Sequence, residues 1–521
     1  MYIGTHAVTR SDQPAVIRPA AGETLTYREL DARSNQVAHL LHSAGLRRGD
    51  HVSLFMENSL VYFEVLWACL RSGLYFTPIN YHLSATEAAY IVDDSDARVL
   101  IASAALEQTA ELGRMSPRCI VKLSSGGAVE GFGDYAAARD RWPRTPLPEE
   151  RLGTMMLYSS GTTGRAKGIR RPLMDLPAEQ GSPQIQFLVD LYHFDASSVY
   201  LSPAPLYHGA PTGFTSATLQ AGGTVIVMDR FDAELALQLI ERYRVTHSQW
   251  VPSMFIRMLR LDPVTRSRYD LSSQRFAIHA AAPCPVDVKR AMIDWWGPII
   301  EEYYSSTESV GLTKIGSAEW LQHPGSVGRA YAKALHICDD AGNELPAGIP
   351  GLIYGETPTG DRIAYHKHPD ETAGAAHPAH PEWMTVGDIG YLDADGYLYL
   401  TDRKSFMIIS GGVNIYPQQI ENALALHPKI ADVAVIGVPN PDLGEEVKAV
   451  VQPAAGVVPS AELAQEILRF VTARLGRQLT PRSVDFVDEL PRLATGKLYK
   501  KELRDRYWKD VASAAGIAAK Y

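Results

Sequence analysis

The chain has 521 residues, too many for one compact core, so two or more domains are expected. Hydrophobic residues make up 46% and charged residues 21%, as in globular proteins, and a formal net charge of −9 excludes the basic footprint of a nucleic-acid binder. The four cysteines, Cys69, Cys119, Cys284 and Cys338, form no Cys-x-x-Cys pair, which argues against a zinc site and a disulfide framework. Met1 to Arg10 has no apolar signal core, and no apolar run reaches the roughly 18 residues of a membrane span. A reducing cytoplasm is the expected compartment.

Thr26-Tyr-Arg-Glu29 is a capping box that opens an amphipathic helix through about Ala44. His51–Met56 reads as a strand. Ser84-Ala-Thr-Glu87 opens a second helix that breaks at Asp93–Asp96, and Val99–Ala102 follows as a short buried strand. The apolar run Met155–Tyr158 reads as a buried strand feeding residues 158–168, Tyr-Ser-Ser-Gly-Thr-Thr-Gly-Arg-Ala-Lys-Gly. Glycines there let backbone N–H groups approach an anion, Ser and Thr add donors, and Lys167 adds a mobile charge, a combination suited to a polyphosphate. Thr224–Met228, Ala233–Tyr243 and His247–Val251 continue a strand–helix–strand alternation, which points to a parallel α/β fold. The His/Pro-rich stretch His366–His380 reads as an exposed, solvated loop.

Beyond about residue 385 the texture changes. Asp388–Leu400 and Met407–Ile409 carry Asp-Gly and Gly-Gly turns of the hairpin kind. Helical patterns at Pro417–Ala425 and Ala461–Leu475 flank an apolar strand, Val433–Val438. The expected fold class is therefore α/β: a large N-terminal domain of parallel-rich sheets with flanking helices (residues 1–402) and a small C-terminal α+β domain (residues 403–521).

Other segments carry chemistry. In Glu302-Tyr-Tyr-Ser-Ser-Thr-Glu308, Glu308 is a hard oxygen ligand of the kind Mg²⁺ shares with nucleotide phosphates, and Tyr303 and Tyr304 offer flat faces for a purine. In His279-Ala-Ala-Ala-Pro283 small residues leave room for a planar ring. Asp388 can accept two hydrogen bonds from a ribose diol, Arg403 can hold a ribose or a phosphate, and the Thr495-Gly496 turn presents Lys497.

In this order and spacing, these segments resemble the adenylate-forming superfamily of acyl- and aryl-CoA synthetases, peptide-synthetase adenylation domains and firefly luciferase. The likeness runs from about Thr24 to Arg504 and is greatest to bacterial fatty-acyl- or aryl-CoA ligases. Its phosphate loop resembles Ser159–Gly168, its Tyr-Gly-x-Thr-Glu motif Tyr304–Glu308, and its Thr-Gly-Asp motif Gly387-Asp388. The family's hinge and hairpin resemble Asp402–Lys404 through Gly411–Pro417, and its C-terminal Pro-x-x-x-Thr-Gly-Lys resembles Pro491–Lys497.

The resemblance implies two steps. A carboxylic acid attacks the α-phosphate of ATP with Mg²⁺, giving an acyl-adenylate and pyrophosphate; a thiol, usually coenzyme A, then displaces AMP. It implies that Lys497 bridges carboxylate and phosphate oxygens, that Thr307 contacts the α-phosphate and that Glu308 holds the metal. Ser159, Ser160, Gly161, Thr162, Thr163, Gly164 and Lys167 would clasp the departing pyrophosphate. Asp388 and Arg403 would hold the ribose. Glu302, Ala281, Ala282 and Pro283 would surround the adenine, with Tyr304 stacked on it and Tyr303 and Ser305 in the same nucleotide segment. A mobile C-terminal domain would swing about Ser405, carrying Lys497 away and bringing Ser410, Gly411 and Gly412 to the thiol. His208, in Pro205-Leu-Tyr-His208, resembles a histidine of the substrate and thiol channel, with core packing as the other reading.

Four positions depart from the family pattern. Ser305 and Val386 replace the usual Gly and Thr, Ser405 stands at the hinge where Asp or Lys is common, and Ala166 stands where Pro is frequent. By analogy Trp250, Val251, Pro252, Phe255 and Ala280 line the acid pocket, a mainly apolar set. A hydrophobic monocarboxylate follows: a medium- or long-chain fatty acid, an arylalkenoic acid or a steroid side-chain acid. Only 24 residues follow Lys497, too few for a carrier domain, so free coenzyme A is the expected acceptor. An acyl-AMP ligase loading a carrier in trans and a non-catalytic binding protein are the alternatives. Oligomeric state stays open, a homodimer included.

Overall fold

The computed structural model describes residues 2–159, 165–331, 333–356, 363–492 and 498–515, without the side chains of 405 and 509–515. The sequence alternation becomes two wound sheets. One is six-stranded and wholly parallel, running Gly133–Asp134, Val121–Ser125, Ala97–Ser103, His51–Phe55, Tyr75–Ile79, Thr154–Met155 from edge to edge. Every residue of His51–Phe55 and Tyr75–Ile79 is buried, as strands covered by helices on both faces require. Both capping boxes form: Thr26 and Glu29 cap the Tyr27–Ser43 helix reciprocally, and Ser84 and Glu87 cap Ala85–Asp94. Each is worth about 0.5–2 kcal/mol.

The second sheet has nine strands among the described residues, and its centre positions the site. Val199–Ser202, His247–Trp250, Phe276–His279 and Ile300–Ser305 run parallel as neighbours, so their carboxyl ends lie along one edge. That edge is where open α/β sheets bind ligands. Side-chain alternation divides the sheet between two cores. Tyr200, Ile278 and Tyr303 pack on one face with Phe214 of the Gly209–Ala221 helix. Leu201, Trp250, Ala277 and Ile300 pack on the other with Phe255, Met292 and Trp296.

A five-stranded antiparallel sheet built from Leu335–Cys338, Gly351–Glu356, Trp383–Met384, Asp388–Leu392 and Leu398–Arg403 follows. After Arg403 comes another five-stranded sheet with its own core of Ile408, Ile420, Val435, Ala449, Ile467 and others. Lys404 Nζ reaches Asp340 at 2.6 Å, the Gln418 amide donates to Asp402 at 3.0 Å, and Arg260 donates to the Ile430 carbonyl at 3.0 Å, tying the two parts together.

The glycine-rich segment is followed by a strand, Lys167–Arg170, antiparallel to Leu157–Ser159. One expectation changes. The His366–His380 stretch is structured, with a helix at Pro369–Gly374. His366 and His377 are buried, and Trp383 is stacked by His336 and His380 at 3.4 and 4.1 Å.

His247 carries a pH prediction. Its ring lies between Phe194 and Phe276, with Nε2 on the Tyr192 carbonyl at 3.0 Å, and burial lowers its pKa to about 4. The folded state binds fewer protons here than the unfolded chain, whose histidine titrates near ~6.5. The stability is therefore intact above that value and is lost as pH falls towards 4, by about 3 kcal/mol. His51, lowered to about 4 by burial, acts in the same direction. Urea midpoints at successive pH values should fall over this window. His247→Gln should flatten the fall, and an unchanged profile would remove the assignment.

Candidate active site

Strand alternation sorts the Glu302–Glu308 segment. Tyr304 packs against Val327, Leu335 and Ile353, and its hydroxyl donates to Asp388 Oδ2 at 2.9 Å. Arg403 Nε donates to Asp388 Oδ1 at 3.0 Å, because antiparallel register sets Asp388 directly opposite Arg403. Burial and the Asp388 carboxylate hold the Tyr304 phenol well above its ordinary pKa, so it stays a neutral donor. Three expected nucleotide residues from separate segments thus meet in one hydrogen-bonded cluster.

Tyr303 is a correction. It points to the opposite face of the strand, with its ring 6.1 Å from Phe214, so it and Tyr304 cannot stack on one purine. Glu302 shares the Tyr304 face, but its Oε2 accepts from the wholly buried Lys289 at 2.5 Å, with His279 at 3.6 Å. Burial raises the Glu302 pKa and the Lys289 ammonium counters the rise. Lys289 has no sequence signal; it is one residue of an amphipathic helix, Val286–Trp296. Ala280 is buried, whereas Ala281 and Ala282 are exposed and Pro283 half-buried. Ala281 holds φ of 75°, a left-handed conformation costly for a residue with a Cβ and concentrated at ligand sites.

Glu308 is 8% exposed, and its Oε1 accepts from Tyr365 Oη at 3.0 Å. Exposed Thr307 offers its carbonyl to Arg171 at 2.9 Å. Lys167 pairs across the hairpin with Ser159, forms an ion pair with Glu371 at 2.8 Å and stands 5.4 Å from the Tyr365 ring centre. Tyr365 and Glu371 therefore join Lys167 to Glu308. Neither was visible in the sequence, because only tertiary pairing of Ala364–Tyr365 with Lys167–Arg170 brings them there. Among the described residues no three His, Cys, Asp or Glu side chains gather around a metal position. A lone carboxylate suits Mg²⁺, which keeps water and phosphate oxygens in its shell.

The departures have local answers. Ser305 lies in the strand itself, and its hydroxyl donates to the Gly311 carbonyl at 2.9 Å. Thr385, one residue before Val386, receives the Gly387 amide at 3.1 Å, and Gly387 takes φ of 83°.

The expected acid pocket is only partly assembled. Trp250 and Phe255 have no exposed surface and pack with Trp296, on the face opposite Tyr303, as core rather than pocket wall. Val251 caps the Pro252–Leu259 helix without a side-chain bond. His208 caps the Gly209–Ala221 helix, half-buried, with its ring 4.4 Å from Tyr207. Ser410 pairs with Val413 around Gly411 and Gly412, whose φ of 58° and 81° make a two-residue hairpin turn. Ser160, Gly161, Thr162, Thr163, Gly164 and Lys497 lie outside the described residues, as does the Ser405 side chain.

The described groups form an acidic pair of positions, Asp388 and Glu308, each held by a phenol, beside the cations Arg403, Lys167 and Arg171. Such a set can orient a diol and neutralise phosphate charge.

Sequence comparison agrees in kind. A sequence model described as AMP-binding enzyme matches residues 4–360, and one described as AMP-binding enzyme C-terminal domain matches residues 419–497. A feruloyl-CoA synthase of Amycolatopsis sp is 33% identical over 489 residues, 93% of this chain and 94% of the relative. A fatty acid–acyl-carrier-protein ligase of Streptomyces coeruleorubidus is 30% identical over 528 residues, 97% and 96% of the two chains. Among solved structures, an anthranilate CoA ligase in complex with anthranoyl-AMP superposes with a TM-score of 0.83 at 25% identity, covering 98% of this chain and 97% of the other.

Proposed function

Because this chain belongs to the adenylate-forming family of AMP-binding enzymes and is an AMP-forming acid–thiol ligase, we propose that it activates a hydrophobic monocarboxylic acid and transfers it to coenzyme A. The observation that supports this most is the cluster of Tyr304, Asp388 and Arg403, next to Glu308 at the carboxyl edge of the nine-stranded sheet.

In this reading Asp388, already oriented by two donors, accepts from the ribose hydroxyls, and Arg403 assists. Tyr304 stacks on adenine beside the Ala281–Ala282 backbone, and Glu302, fixed by Lys289, borders it. Glu308 holds Mg²⁺, which when bound neutralises charge on the phosphates. Lys167 exchanges its Glu371 partner for the β- and γ-phosphates, with the backbone and hydroxyls of residues 159–164 around them. Thr307 contacts the α-phosphate, and Lys497 bridges it to the attacking carboxylate. Residues 1–402 and 403–521 act as two domains that turn about Ser405 between the steps, bringing Ser410–Gly412 to the thiol. His208 lines the channel.

Incubating the chain with ATP, Mg²⁺ and an acid panel, with and without coenzyme A, should give AMP and an acyl-CoA thioester by mass spectrometry. Acyl-AMP that persists in coenzyme A and is discharged only by a carrier protein would support the second reading, to which the carrier-protein ligase relative points. No acid-dependent AMP would overturn both.

A further inference from the structure

Resting on that ligase reading, we infer that Glu371 is a positioning residue of the nucleotide site: it holds Lys167 as an internal stand-in for phosphate, which ATP and pyrophosphate must displace to bind. Lys167 and Glu371 form an ion pair at 2.8 Å, with side chains 16% and 41% exposed. The Tyr365 ring flanks the ammonium at 5.4 Å, and the Tyr365 hydroxyl donates to Glu308 Oε1 at 3.0 Å. One short stretch, residues 365–371, therefore engages both the cation and the carboxylate that the ligase reading gives to the phosphates and their metal.

The backbone builds the pairing in. Ala364 and Tyr365 pair antiparallel with Arg170 and Ile169. The Thr372 hydroxyl accepts from the Tyr365 amide at 2.9 Å and donates to the His368 carbonyl at 2.9 Å. Ala375 is buried with Ile169, Ile363 and Met384, and its carbonyl accepts from the Thr385 amide at 2.9 Å. Helix Pro369–Gly374 is thus tied at one end to the hairpin that carries Lys167 and at the other to the segment that leads into Asp388. From that helix the Glu371 carboxylate meets Lys167, with His368 Nδ1 3.6 Å away. To an ammonium, a carboxylate oxygen and a phosphate oxygen are the same kind of charged acceptor. The Lys167 charge, neutralised by Glu371, reaches the β- and γ-phosphates only when this pair opens. Apparent affinity is the intrinsic one reduced by the fraction of chains in which the lysine is free. A partly exposed ion pair lowers that fraction by about two- to fivefold.

Calorimetric titration of the intact chain with ATP, inorganic pyrophosphate and AMP, each with Mg²⁺, tests this. Glu371→Gln keeps the shape and removes the charge, and should tighten ATP and pyrophosphate binding by about two- to fivefold. AMP, which has no β- or γ-phosphate, should bind as it does to the parent. In acid-dependent turnover the gain should appear in the KM for ATP rather than in kcat. Glu371→Ala should act alike, which excludes a new amide contact as the source. In a Lys167→Met background the gain should vanish, because Glu371 acts through that lysine. A residue that only props the fold would weaken all three ligands together. Unchanged or weaker ATP binding, an equal gain for AMP, or an undiminished gain without Lys167 would overturn the inference and leave the ligase reading standing. A parent chain that binds neither ATP nor pyrophosphate and releases no pyrophosphate with any acid would overturn both.

Discussion

Lys497→Ala is expected to lower acyl-adenylate formation by about 10²–10³-fold, the usual effect of removing one donor aimed at developing charge. The attacking carboxylate and the α-phosphate are both anionic. Bringing them together needs a cation at the point of contact, and the gathered cations Lys167 and Arg403 are engaged with Glu371 and Asp388. Lys497 lies in the matched C-terminal segment, 189 residues after Glu308 in sequence. Thioester formation from a supplied acyl-adenylate should stay near the parent rate, since charge repulsion between carboxylate and phosphate is absent from that step. Rapid-quench assays of the two half-reactions separate these outcomes. Parent-level adenylation in the variant would remove Lys497 from the account.

Glu308→Gln should reduce ATP-dependent turnover by about 10²-fold and shift the Mg²⁺ dependence to higher concentration. The substitution keeps the shape and an oxygen for Tyr365 Oη, now at 3.0 Å from Oε1, so the fold is retained and the charge alone is lost. Tyr365→Phe is the control: it frees Glu308 without removing its charge, and should cost far less. Magnesium titrations at saturating ATP distinguish the two. An unshifted Mg²⁺ curve for Glu308→Gln would contradict the metal assignment.

What could be read from the sequence was local. The capping boxes at Thr26 and Ser84 formed because all their partners lie within four residues. Helix Ala233–Tyr243 was read to its ends, bounded by an Asp232 cap and an Arg244 in the left-handed region. The order of Glu308, Asp388, Arg403 and Lys497 carried the family. What failed depended on the third dimension. Tyr303 and Tyr304 look equivalent in sequence, but strand period places their rings on opposite faces. Trp250 and Phe255 share an apolar texture with a pocket wall, yet they fill core against Trp296. His377 and His380 read as solvated because no local pattern announces their packing against the Trp383 ring. Tyr365, 57 residues from Glu308, is brought to bond it by the long-range antiparallel pairing of Ala364–Tyr365 with Lys167–Arg170.

The most direct test of the central claim is exchange of labelled pyrophosphate into ATP by the intact chain with Mg²⁺ and a carboxylic acid, in the absence of coenzyme A. The account predicts exchange that requires the acid and saturates with it, because a reversible acyl-adenylate links acid to pyrophosphate. ATP cleavage to ADP and phosphate, or label exchange indifferent to any acid, would contradict it.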